Sequence, residues 1–94
     1  MNYKIVTEKN TWERWAGREL GYVNVDHYSL IAVYTSGENE GQEIFGSGAR
    51  VAKDDAKDKQ YTVRFGSCNQ DYEHMLIQKA VIDEAFKLAE RLNK

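Results

Sequence analysis

Cys68 and His74 are the pair whose types could do covalent chemistry. A thiol just ahead of a helix feels the positive end of the helix dipole, which lowers its pKa and favours the thiolate. His74 is the nearest possible base. No third residue presents itself to orient the imidazole, and a dyad without such a partner is poorly specified. The two are therefore read as a small buried thiol and a histidine at the edge of a core, and the chain is expected not to be an enzyme. Asp26 and His27, taken with Cys68 and His74, could be imagined as a metal cluster. The sequence holds no HxH, HxxxH or CxxC spacing, so no metal and no other cofactor is expected. Gly46-Ser47-Gly48 has the composition of a phosphate loop. Such loops need successive backbone N–H groups at a helix start, whereas these glycines lie in a strand-like stretch and read as a β-bulge.

The remaining chemistry is that of recognition. Lys53, Lys57 and Lys59 alternate with Asp54, Asp55 and Asp58, a balanced run that pairs with itself in solvent. Glu38, Glu40 and Glu43 are different, because residues 36–49 contain no base. They form the one single-sign patch of the chain, a charge complement for a basic groove on a partner. Trp12 and Trp15 are the matching apolar anchors, since tryptophans carry much of the energy of protein interfaces. They are expected on one face of a short helix, at positions i and i+3.

The elements that would hold these residues follow from periodicity. Residues 3–7 are β-prone and read as an edge strand. Asn10 and Glu13 have the spacing of a capping box, so a short helix is expected over residues 11–16, stopped by Gly17. Residues 20–25 give a further strand. Residues 27–35 give the best one: Tyr28, Leu30, Ala32 and Tyr34 point one way and Ser29, Ile31, Val33 and Thr35 the other. Both faces are rather apolar, which suits a central position. A turn over residues 36–42 leads to a returning strand over 43–51, and residues 60–65 make another. From Asp71 to Asn93 the apolar residues recur with helical period: Met75, Ile77, Val81, Ile82, Ala85, Phe86, Leu88, Ala89 and Leu92 fill one half of the wheel. Such a helix must cover something apolar, and the sheet is the available surface.

The expected fold is thus one α+β domain over residues 1–94: an antiparallel sheet of three to five strands, one long C-terminal helix on one face, and a short N-terminal helix. Composition agrees. The 94 residues are 41% hydrophobic and 30% charged, with two Trp, six Tyr and three Phe, enough for one modest core. A formal net charge of -2 creates no strong field for nucleic acid. A single cysteine excludes an internal disulfide, and the first residues lack an apolar leader, so a cytoplasmic location is expected. With no proline, every tight reversal must use Gly, Asn, Asp or Ser.

Two families share part of this pattern. The order of short helix, three strands and long helix, with Gly66-Ser67-Cys68-Asn69 ahead of the last helix, resembles the double-stranded RNA-binding domain over about residues 10–93. That family places lysines at the helix start, where this chain has Gln70, Asp71, Tyr72, Glu73 and His74. Carboxylates there repel phosphate, so the resemblance implies topology rather than duplex RNA binding. Val33-Tyr34-Thr35-Ser36-Gly37 resembles the first strand of the ribonuclease H fold, with Glu73 where its helix carries a metal-binding carboxylate. Ser36 stands where that family needs an aspartate, so a two-metal site is incomplete. In style the chain is similar to small phage and mobile-element accessory proteins, including anti-CRISPR proteins.

The function expected is a non-enzymatic protein-binding module, an inhibitor of a host defence or nucleic-acid enzyme, acting through Glu38, Glu40, Glu43, Trp12 and Trp15. Its partner would be a host protein. The alternative is a nucleic-acid-binding α-β-β-β-α domain using Arg50, Lys53, Lys57, Lys59 and Arg64.

Overall fold

A computed structural model describes residues 2–54, 60–66 and 71–94. The expected α+β architecture holds: a four-stranded antiparallel sheet carries one C-terminal helix. The strands are β1 (Tyr3–Trp15), β2 (Tyr22–Tyr34), β3 (Ala49–Asp54) and β4 (Gln60–Arg64), and the helix is α1 (Tyr72–Leu92). Their order in the sheet is β1-β2-β3-β4, a simple meander.

The N-terminal third departs from expectation. Residues 11–15 are not a helix but the distal half of β1, and residues 22–34 form one strand rather than two. The pairing runs unbroken from Tyr3↔Tyr34 to Trp15↔Tyr22. Asn10-x-x-Glu13 imitates a helix start only locally. Cross-strand contacts override it: the Thr11 hydroxyl donates to Asp26 Oδ1 at 2.9 Å, and Lys9 Nζ lies 3.4 Å from Asp26 Oδ2. Both bonds hold the Asp26 carboxyl below its usual range, the hydroxyl bond more than the ammonium. The reversal over residues 16–21 uses Gly17 and Gly21 at positive φ, 104° and 66°, where a side chain would be strained. The α-β-β-β-α order is therefore replaced by β-β-β-β-α, and the likeness to the double-stranded RNA-binding topology lapses.

Strand alternation sorts the sheet into two faces. Tyr28, Leu30 and Ala32 of β2, Ala49 and Val51 of β3, Val63 of β4 and Ile5 of β1 turn toward α1. There they meet Ile77, Val81, Ala85 and Ala89 in one cluster. Met75 and Phe86, expected on the apolar side of α1, are instead more than half exposed. The buried stripe is narrower than the apolar half-wheel and consists of Ile77, Val81, Ala85 and Ala89.

Asp71 caps α1, its Oδ1 accepting the His74 backbone N–H at 2.9 Å. At the other end the helix grips the sheet edge. Asn93 Oδ1 accepts the Tyr61 N–H at 2.7 Å, and Asn93 Nδ2 donates to the Tyr61 carbonyl at 3.0 Å. Gln78 Nε2 donates to the Gly66 carbonyl at 2.8 Å. The two amides, one on α1 and one at its C-cap, thus occupy backbone groups of Tyr61 in β4 and of Gly66 just beyond it.

The expected returning strand over residues 43–51 begins only at Ala49. Before it, the chain folds over the end of β2. Ile44 N–H donates to the Ala32 carbonyl at 2.8 Å, and the Ala32 N–H donates to Ser47 Oγ at 3.1 Å. Ser47 Oγ in turn donates to the Ile44 carbonyl at 2.7 Å. A serine side chain here takes the place of a backbone carbonyl in the ladder, so the glycine-flanked Ser47 is part of a buried tie rather than a bulge. Gly46, at φ 78°, makes the tight turn that aims it inward.

Candidate functional site

α1 covers one face of the sheet, and the opposite face carries a concavity. It is an open groove of about 650 Å³. Its floor is apolar, from Val6 of β1 and Ile31 and Val33 of β2, with Phe65 at one side. Phe65 is about half exposed. Four charged residues rim it: Glu8 of β1, Glu43 ahead of β3, Arg50 of β3 and Arg64 of β4. Arg50 and Arg64 are directly opposite each other in the β3–β4 ladder. Like charges in that position oppose pairing, and the register sets two arginines side by side on an exposed face.

Beside the groove, Trp12 packs against His27, with ring centroids 3.6 Å apart and planes tilted by 33°. The Arg50 guanidinium sits 5.1 Å from the Trp12 ring centre, a cation–π distance. His27 is 4% exposed, and its Nδ1 has no hydrogen-bond partner. Burial is the main reason its pKa falls below the ordinary imidazole value. Arg50 lowers it further, against an opposing pull from Asp26. A neutral imidazole is what such a stack can hold.

Beyond β3, which pairs with β2 only from His27 to Leu30, the β1–β2 hairpin continues as a two-stranded arm. It gives the molecule its long dimension of 52 Å. Trp15 and Tyr22 meet edge-to-face near its end, with centroids 5.3 Å apart. Both are more than half exposed, as is Leu20 in the turn.

The five residues proposed from sequence are therefore spread over three places. Trp12 is on the groove side of the sheet and 41% exposed, packed by His27 and Arg50. Trp15 is on the other side, because residues three apart in a strand face opposite ways; the shared helical face does not exist. Glu38 and Glu40 are exposed in the reversal over residues 36–41, where Gly37 and Gly41 both have φ 87°. Glu43 is separate from them, bridging to Val33 and rimming the groove with the two arginines. Of the residues assigned to nucleic acid, Arg50 and Arg64 come together, while Lys53 turns to the helix side, 5.4 Å from the Tyr61 ring centre. Lys57 and Lys59 lie outside the described residues.

Cys68 also lies outside them. His74 is committed to the helix cap, its Nδ1 2.7 Å from Asp71 Oδ1. Among the described residues no group of His, Cys, Asp and Glu is arranged to hold a metal, and no helix is long and apolar enough to cross a membrane. The groove floor is not among the residues expected from sequence. The apolar odd-numbered face of residues 27–35 was the signal for the floor.

Comparison with known proteins gives no match among family models, curated proteins or solved structures.

Proposed function

We propose that the chain is a non-enzymatic protein-binding module whose contact surface is the helix-free face of the sheet. The observation that carries the reading is the groove itself, with an apolar floor inside a rim of two carboxylates and two guanidinium groups. An apolar centre within a polar rim is the usual anatomy of a protein interface. Charges of both signs set orientation and select the partner. A polyanion would meet Glu8 and Glu43 together with Arg50 and Arg64, so the rim favours a protein over nucleic acid. Trp12, stiffened by its stack on His27, is the anchor beside the groove. Glu38 and Glu40 extend the surface as an exposed acidic loop, suited to a basic patch on the same partner. Inhibition of a host nucleic-acid enzyme, by occupying its surface, is the biological role we attach to this module.

Cross-linked capture from host lysate tests the reading, comparing wild type with Arg50→Glu and with Glu38→Lys/Glu40→Lys. Loss of one protein in Arg50→Glu, with the melting temperature preserved, is the expected result. An identical set of captured proteins from all three would remove the groove from function. Duplex RNA and DNA titrations at about 0.15 M salt separate the alternative: sub-micromolar affinity lost in Arg50→Glu would replace protein with nucleic acid as the ligand.

A further inference from the structure

The two edges of the sheet are treated differently. At β4 the Asn93 amide takes both backbone groups of Tyr61, and Gln78 takes the carbonyl of Gly66 just past the strand. β1 is a thirteen-residue edge, and its outward groups can be identified from its two ends. Thr35 N–H donates to the Asn2 carbonyl, and Ala16 N–H donates to the Gly21 carbonyl. Even-numbered residues of β1 thus direct their backbone groups into β2. With the register unbroken between those ends, Tyr3, Ile5, Thr7, Lys9, Thr11, Glu13 and Trp15 direct theirs to the free side. A long edge of this kind is a template for another strand.

We infer that the strand it takes is β1 of a second copy of this chain, in an antiparallel pair with its two-fold axis at Thr11. The charge pattern selects that register. A two-fold axis perpendicular to a sheet keeps each face on its own side, so opposed residues have the same parity. Centred on Thr11, Lys9 faces Glu13 of the second copy and Glu8 faces Arg14, each twice by symmetry. Every charged residue from Thr7 to Trp15 then meets its opposite. Centring on Lys9 sets Lys9 against itself and Lys4 against Arg14. Centring on Glu8 sets Glu8 against itself. Centring on Val6 satisfies only Lys4 and Glu8, over a shorter overlap. Opposite charges across a strand pair stabilise it and like charges oppose it.

The Thr11 register also uses the arm. Trp12 comes opposite Asn10 and diagonal to the Trp12 of the second copy, within reach of a ring contact. Trp15 comes opposite Thr7, beside Ile5, at a position where it is now 56% exposed. The two sheets become continuous, the arms overlap, and both grooves open on the same side. Of the groove's rim only Glu8 enters this contact, but Trp12, the anchor proposed above, enters it as well, so the second copy and that partner share this ring.

Sedimentation velocity of the full chain between about 1 and 200 µM tests this. Wild type is expected to associate reversibly to a dimer, weakening with added salt as an ion-paired contact must. Lys9→Glu sets like charges against Glu13, and Glu13→Lys sets them against Lys9; each should weaken the dimer by tenfold or more. Mixing the two single variants should restore association as a heterodimer, because both contacts are then complementary. Lys9→Glu/Glu13→Lys should associate within about threefold of wild type. As a second measurement, Thr11→Cys in a Cys68→Ser background should form an intermolecular disulfide on mild oxidation, since cross-strand Cα atoms at the axis lie within disulfide range. A wild type that stays monomeric to 200 µM overturns the inference, as does a dimer indifferent to the single charge reversals or not restored by mixing.

Discussion

Replacing Ser47 with Ala removes little volume and tests whether a side chain completes the sheet. Ser47 is 1% exposed and Ala32 is fully buried. The substitution deletes the acceptor of the Ala32 N–H at 3.1 Å and the donor to the Ile44 carbonyl at 2.7 Å. The Ile44 carbonyl keeps the Ser47 backbone N–H at 3.2 Å, so the main loss is at Ala32. A buried N–H left without a partner costs about 1–3 kcal/mol. That is a sizeable part of a total stability of about 5–15 kcal/mol. For a domain of this size each kcal/mol moves the melting temperature by about 4–8 °C. Thermal unfolding by circular dichroism should therefore show a fall on the order of 10 °C. Amide exchange at Ala32 should accelerate more than exchange at Val51, which sits in the β3–β4 ladder. A melting temperature within about 2 °C of wild type, with Ala32 protection unchanged, would refute the reasoning: water or a backbone shift would then be satisfying the N–H.

Three further outcomes are expected. Stability should depend on pH through His27: the unfolded imidazole takes a proton near pH 6.5 while the folded one resists it, so stability is full above that value and falls as pH drops toward the lower folded pKa. Denaturant titrations from pH 7.5 to 5 should show this slope, and His27→Gln should flatten it. Val81→Ala, at a fully buried position of α1, should cost about 2 kcal/mol, whereas Phe86→Ala, on the exposed side, should cost under about 0.5 kcal/mol; equal losses by chemical denaturation would reject the assigned helix face. Asn93→Ala should lower stability by about 1 kcal/mol and add concentration-dependent light scattering, because it uncovers the Tyr61 edge; unchanged scattering would mean that edge needs no cover.

The helix and the centre of β2 were legible because each buries one periodic stripe against a partner, and periodicity is what a sequence displays. Ile77, Val81, Ala85 and Ala89 illustrate this, as do Leu30 and Ala32. The arm was misread because Asn10 and Glu13 satisfy a local helix-start spacing. The force that decides the matter is nonlocal: Thr11 bonds Asp26, and Trp12 stacks on His27. Gly17 and Gly21 did mark the reversal, but a glycine ends a helix as readily as it turns a hairpin. The candidate site was less legible still. Arg50 and Arg64 become neighbours only through the β3–β4 register, and Glu43 joins them through its bridge to Val33 and the backbone bonds of Gln42 and Ile44 to β2. Trp12 and Trp15 were visible as residues, but their faces depended on whether the backbone was helix or strand.

The clasp of Asn93 and Gln78 on the outer strand bears on how the molecule comes apart. If α1 lifts away, the apolar layer under Ile77 and Val81 and the backbone at Tyr61 of β4 and at Gly66 beyond it lose their cover in the same event. The undocked sheet would present a bare greasy face between two open edges, the state from which chains stick to one another. Coupling the two losses makes that state costly to reach and therefore sparsely populated. The arm, with no second layer above it, opens on its own and exposes little. Local opening is thus expected first in the arm, while the layered end opens only with the whole.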